Sequence, residues 1–213
     1  MLPGRHGADV FDELQLHALP HDQEWDGSIA YLDRDGVLNV GSPDYINNID
    51  ELKVMTGVPQ AVGDLRRAGF RICVVTNQSP IGRGLWTDKR LEMIHDELQA
   101  RILEVDDDAV LDLILYSPHV PWAGSPFRKP EPGMLMAGRQ LLQSSGSIES
   151  FSENASFNEA RSAMVGDRRT DLRAGKRYGV RVFHSPEHIG LPAVLSRVLD
   201  ADDEGDDIMS APV

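Results

Sequence analysis

Two rhythms of apolar and polar positions alternate along the chain. Short apolar runs at 28–32, 71–76, 110–116, 162–165 and 180–183 predict five strands. Between them, apolar residues recur at helical spacing. Val58, Ala61, Val62 and Leu65 form one stripe, closed by Gly69, where a left-handed C-cap is expected. Leu91, Ile94, Leu98 and Ile102 form a second, with Thr87 placed as its N-cap. Residues 134–142 give a third after Pro132, and 172–178 a fourth, ended by Gly179. Strand alternating with helix predicts a doubly wound α/β domain: a Rossmann-like parallel sheet with helices on both faces.

Three segments fall outside this rhythm. Residues 1–26 are a polar N-terminal extension, folded back on the domain or mobile. Residues 27–199 hold the domain itself, within which 144–161, rich in Ser, Asn and Glu, reads as a loose loop. Residues 200–213 form an acidic tail, expected to be disordered.

Charge narrows the choice of partner. The 213 residues include 21 Lys and Arg against 34 Asp and Glu, a formal charge of −13. That field repels a phosphate polymer or an anionic membrane surface, so neither nucleic acid nor membrane is expected as a partner. A small phosphorylated metabolite remains possible where cations cluster locally. The single cysteine, Cys73, excludes an internal disulfide, and no run approaches the length of a membrane span. A monomer in the cytoplasm is the expectation.

Ligands of open parallel sheets sit beyond the carboxyl ends of the strands, so the residues following each apolar run carry the chemistry. Asp33-Arg34-Asp35-Gly36 follows the first run, and its two carboxylates at i and i+2 leave the strand on the same side. Magnesium takes one or two carboxylates plus other oxygen ligands. Asp33 can therefore serve both as a ligand and as a nucleophile on phosphorus, and Asp35 as acid and base. A calcium loop is the competing reading of such a segment, but Val37 and Leu38 interrupt the ligand series. Thr76 and Asn77 follow the second run and offer a hydroxyl and a backbone N–H to a phosphate; taken alone, they read better as a β-branched strand end and an Asn turn. Arg128 and Lys129 add cations beyond the third run, Lys129 for a transferring phosphoryl group and Arg128 for a second anionic or hydroxylated part of the substrate. After the fourth, Asp167 is a third magnesium candidate, with Asp171 supporting it or capping a helix.

The ordered set DRDGVLN, TNQS, RKP and GDRRTD resembles the four motifs of the haloacid dehalogenase superfamily, over roughly residues 29–183. Within it, Asp33-Arg34-Asp35-Gly36, Asp44-Tyr45-Ile46, Gly82-Arg83-Gly84 and the segment from Arg128 to Met134 resemble the D-glycero-D-manno-heptose 1,7-bisphosphate 7-phosphatases and the related histidinol-phosphate phosphatases. The resemblance implies a magnesium-dependent phosphomonoesterase without a large cap domain. Asp33 would be nucleophile and Asp35 acid/base, with Thr76 and Lys129 on the phosphate. Asp33, the Asp35 backbone carbonyl and Asp167 would bind magnesium, and Arg83 and Arg128 would face the sugar or its second phosphate. A heptose bisphosphate is the first substrate expected, histidinol phosphate or another small metabolite the alternative. Many such phosphatases carry a Cys-x-His and Cys-x-Cys zinc loop before the Arg-Lys-Pro segment. Here residues 117–127 keep only His119 of those ligands, so no zinc is expected, and the prolines with Trp122 and Phe127 are expected to anchor the loop by burial. Two other classes stay open: a receiver-like module, which lacks an acid/base two residues after its phosphorylated Asp, and a non-catalytic phosphate-binding protein.

Overall fold

The structure is a computed structural model and describes residues 1–144, 146–152 and 157–212. Six strands form one sheet: β1 (Gly4–Arg5), β2 (Ile29–Leu32), β3 (Arg71–Asn77), β4 (Leu113–Ser117), β5 (Ala163–Gly166) and β6 (Arg181–His184), in the order β1-β4-β3-β2-β5-β6. All neighbours run parallel except β1, which pairs antiparallel with β4. The helices are α1 (Val58–Arg67), α2 (Ser79–Gly82), α3 (Asp88–Leu103), α4 (Gly133–Gln143), α5 (Arg169–Tyr178) and α6 (Leu195–Leu199).

Strand alternation divides the core into two layers. Ala30, Leu32, Ile72, Val74 and Val165 pack with Val62 and Leu65 of α1, Ile94 and Leu98 of α3, and Val198 of α6. Ile29, Tyr31, Cys73, Val75 and Met164 pack on the other side with Leu135 and Leu141 of α4 and Leu172 and Ala174 of α5. The order of strands reverses between β2 and β5, so the chain diverges there and leaves a crevice at their carboxyl ends. Among the described residues, no helix is long and apolar enough to cross a membrane.

Several boundaries differ from expectation for local reasons. The third predicted strand begins at Leu113 because the buried Asp112 carboxylate, and not a backbone carbonyl, accepts the Ile72 N–H (2.8 Å) while pairing with Arg71 (2.7 Å). Thr87 does precede α3, but its side chain makes no capping bond. The N-terminal extension folds back: Gly4 and Arg5 extend the sheet, and Gln23 donates to the carbonyls ending α1.

The expectation of a disordered acidic tail is corrected. Asp203 and Asp206 pair with Arg197, Asp206 N–H donates to Val182 on the edge strand β6 (2.7 Å), and Ala211 is buried. Composition registered the repulsion among these acids but not the arginines that wait for them. In the 144–161 loop, residues 145 and 153–156 lie outside the described set, whereas Phe151 packs against Phe11 and Phe127. In the loop 117–127, Phe127 is buried as expected but Trp122 is 73% exposed and anchors nothing by burial.

Candidate active site

The strand-end segments converge. Asp33 leaves β2 with its N–H bonded to Val165 of β5 (3.0 Å), which fixes it against the strand that leads to Asp167. Gly36, at φ 80°, lets the following loop double back; a Cβ there would stand 2.7 Å from the Asp167 carboxylate. The carboxylates of Asp33, Asp167 and Asp171 each offer an oxygen within 4.8 Å of the others. Lys129 Nζ reaches Asp33 Oδ1 at 2.9 Å and Asp171 Oδ1 at 2.7 Å, and all four side chains are buried or nearly so. Arg34 N–H also donates to Asp33 Oδ1 (2.7 Å), so this carboxylate is held from two sides.

One ammonium among three carboxylates leaves the cluster short of positive charge. Burial, with Asp171, Asp167 and Asp35 adding to it against the opposing pull of Lys129, pushes the Asp33 carboxyl up to about 7. Burial and Asp171 likewise push Asp167 up to about 6. Burial alone would lower the Lys129 ammonium, but Asp171 and Asp33 outweigh it and hold the group charged. Asp167 Oδ1 is buried without a hydrogen-bond partner among the described residues. Excess negative charge, oxygen donors and an orphaned carboxylate oxygen fit a hard divalent cation. Asp171 is less available: Oδ1 is taken by Lys129, and Oδ2 caps α5 by accepting the Arg168 N–H (3.0 Å).

Asp35 is built differently. Its carboxylate accepts from Arg34 Nη2 (2.9 Å), Asn39 Nδ2 (2.9 Å) and Gln78 Nε2 (3.2 Å), and it does not join the acidic cluster. Burial pushes this carboxyl up, but the Arg34 charge and the three donors overcome that and hold it below the ordinary carboxylate range. Gln78 also donates to Thr76 Oγ1 (2.8 Å), which leaves the Thr76 proton free to be donated elsewhere. The Asn77 side chain donates to the Lys129 carbonyl (3.0 Å) and accepts the Lys129 N–H (3.1 Å), pinning the lysine in place.

Two cavities meet here. A small one of about 260 Å³ exposes Asp33, Asp35, Thr76 and Asp171. A larger one of about 740 Å³ shares Tyr45, Asn77, Lys129, Arg168 and Thr170 with it and extends to Arg83 and Arg128. Burial and the neighbouring Arg83 lower the Arg128 pKa. Tyr45 lines both cavities at φ 67°, a left-handed conformation unusual outside glycine, with its ring edge-on to Trp86. Sequence reasoning missed Arg34, Asn39 and Gln78 as site residues. The first lies inside the DRDG motif and the last inside TNQS, yet neither motif states which way the side chain turns.

A buried carboxylate locked to a lysine at the switch point of an open parallel sheet defines a site for phosphoryl chemistry. The chain belongs to the haloacid dehalogenase-like hydrolases, whose family model matches residues 4–179. It is a hydrolase, and its named relatives are phosphatases. D-glycero-beta-D-manno-heptose-1,7-bisphosphate 7-phosphatase from Pseudomonas aeruginosa is 42% identical over 108 residues, 51% of this chain and 60% of that protein's length. The enzyme of the same name from Escherichia coli K12 is 35% identical over 151 residues, covering 68% of this chain and 71% of the relative. A crystal structure of D,D-heptose 1,7-bisphosphate phosphatase from B. bronchiseptica, complexed with magnesium and phosphate, superposes with a TM-score of 0.65 at 28% identity, over 81% of this chain and 98% of that one.

Proposed function

We propose that this chain is a magnesium-dependent phosphomonoesterase acting through an aspartyl-phosphate on a small sugar phosphate, with D-glycero-D-manno-heptose 1,7-bisphosphate, cleaved at the 7-phosphate, as its substrate. The observation that carries the reading is Lys129 bridging Asp33 and Asp171 beside the unpartnered Asp167 oxygen. The relatives' names and the arginine-lined cavity next to the nucleophile support the bisphosphate.

Asp33, Asp167 and the Asp35 carbonyl would hold the magnesium ion. Once bound, it supplies Lewis-acid stabilisation to the phosphoryl oxygens. The chain's own residues do the rest. Lys129 and the Arg34 N–H fix the Asp33 carboxylate so that it attacks phosphorus without first having to order itself. Thr76, its oxygen occupied by Gln78, donates its proton to a phosphoryl oxygen, and Lys129 offsets charge there. Asp35 gives a proton to the leaving alkoxide and then takes one from the water that cleaves the aspartyl-phosphate. Its donors from Arg34, Asn39 and Gln78 favour the ionised form, the one needed in the second step. The first step requires it to give up part of that network. Arg83 and Arg128 face the substrate's second phosphate.

Phosphate release should be measured with purified protein and magnesium over heptose bisphosphates, histidinol phosphate and simple sugar monophosphates. The expected result is the highest kcat/KM on the heptose bisphosphate, with phosphate lost from C7. Preference for histidinol phosphate would replace the substrate and keep the chemistry; no hydrolysis across the panel would sink the enzyme reading itself.

A further inference from the structure

The far end of the larger cavity is built on an exposed aromatic residue. The Arg83 guanidinium carbon lies 5.1 Å from the centroid of the Trp122 ring, and that ring is 73% exposed. Trp122 packs on no other aromatic ring among the described residues, so neither core burial nor stacking accounts for its place. We propose that Trp122 is a positioning residue for substrate selection: its indole face holds Arg83 at the distal end of the cavity, where the guanidinium receives the substrate's second anionic group. This inference rests on the phosphatase reading above.

The backbone around the pair is already fixed. Gly82 N–H donates to the Pro118 carbonyl (3.0 Å), and a Cβ at Gly82 would stand 2.4 Å from that oxygen, so α2 and the loop 117–127 sit in direct contact. Gln78 N–H donates to Ser117 at the start of the same loop (2.8 Å). The freedom that remains belongs to the Arg83 side chain, and the face of a ring restrains it without consuming its N–H donors. Arg128 is tied to the same loop by donating to the His119 carbonyl (2.9 Å). Neither arginine has a carboxylate partner among the described residues, and Glu131, which lines the cavity, is paired with Arg177. In a chain of net charge −13, two unneutralised guanidinium groups in one cavity mark an anion site.

The test compares heptose 1,7-bisphosphate with p-nitrophenyl phosphate, which carries no distal anion. Trp122→Ala should raise KM for the bisphosphate roughly three- to fivefold, as expected for losing one exposed cation–π contact, with kcat unchanged. Neither parameter should move for the aryl phosphate, and Trp122→Phe should restore most of the loss. Arg83→Ala should raise the bisphosphate KM about ten- to a hundredfold, as for a lost charged hydrogen bond, and Trp122→Ala added to it should do nothing more. An unchanged KM in Trp122→Ala, an equal loss on both substrates, or additivity with Arg83→Ala each overturns the proposal. Wild-type turnover of the aryl phosphate without any turnover of the bisphosphate also overturns it while leaving the phosphatase reading in place. Turnover of neither removes both.

Discussion

The two ends of the active-site crevice are held by opposite means. At the catalytic end, Asp33, Thr76, Lys129 and Asp171 are nearly buried, and each is fixed by partners donated from the strand ends of the sheet. At the distal end, Arg83 and Arg128 hang from the loop 117–127 by one ring face and one carbonyl. Under the proposed function the first end can be rigid because every substrate presents the same phosphoryl group there. The second can be soft because a substrate's remote part needs recognition and no chemistry. The difference implies that changes at the catalytic end act on kcat and stability together, and changes at the distal end on KM.

The harshest way to break this contrast is to remove the proposed nucleophile. Asp33→Asn should reduce turnover by at least about 10^4-fold. The amide keeps the shape and removes a buried charge, so circular dichroism and thermal melting should show an intact fold. Retained magnesium-dependent turnover in the purified variant would eliminate Asp33 as nucleophile and with it the rigid end as the chemical one. Lys129→Met is the next largest. It leaves the Asp33 and Asp171 carboxylates buried without their cation, which costs about 3–5 kcal/mol, and kcat should fall roughly 10^2–10^3-fold. Denaturant unfolding together with steady-state kinetics checks both. A variant as stable as wild type would mean that the buried pairs contribute little to the fold.

Much of the rigid end was legible in the sequence, because its residues stand directly after apolar runs and the parallel sheet forces all those ends to one rim. Asp33, Thr76, Lys129, Asp167 and Asp171 come together for that reason. What stayed hidden was direction. Nothing in the order of letters says that Asp35 turns toward Arg34 and Gln78 and away from Asp33, or that the Asn77 amide is spent on the Lys129 backbone. These depend on contacts between segments about forty to fifty residues apart. The same limit explains the two segments that packed against expectation. Acidic composition predicted a loose tail, but Arg197 and the open edge of β6 receive it. Apolar character predicted a buried Trp122, but its face serves Arg83.

A smaller effect sharpens the comparison through pH. The carboxyls of Asp33 and Asp167 are raised from 3.8 to about 7 and about 6, so in this window the folded chain binds protons more tightly than the unfolded one. These two carboxyls therefore make stability fall as pH rises from roughly 4 to 7, a trend opposed below about pH 6.5 by the buried His95, which burial and Arg34 hold well below its ordinary pKa. In a chelating buffer the melting temperature should drop by several degrees between pH 5 and pH 7.5, and excess magnesium should restore it at the upper end by binding only the folded chain. Asp35 does not offset this, because its carboxyl is lowered and titrates below the window. Asp33→Asn separates the site from the general repulsion of an acidic chain, since it should flatten only the part of the slope due to that carboxyl. A pH slope under chelation that Asp33→Asn leaves unchanged would contradict the excess charge assigned to the site.

The smallest effect is expected where the soft end depends on chain stiffness. Pro121 opens a single 3-10 turn, Pro121–Ala123, which closes on Gly124 at φ 64° and carries Trp122 between them. Pro121→Ala keeps the turn sterically possible and frees the unfolded chain, a loss of about 0.4–1 kcal/mol. For a chain of this size that amounts to roughly 1–4 °C in melting temperature. Because the loop meets Arg83 and Arg128 but none of the groups bonded to Asp33, kcat should stay within about twofold of wild type, and only KM for a doubly anionic substrate should rise. If kcat instead fell tenfold while the melting temperature held, the loop would be coupled to Asp33 through the Lys129 backbone, which follows Arg128 directly and is held by Asn77, or through Gln78, which bonds Ser117 on one side and Thr76 and Asp35 on the other. The crevice would then be a single mechanical unit, and the division of labour between its ends would have to be abandoned.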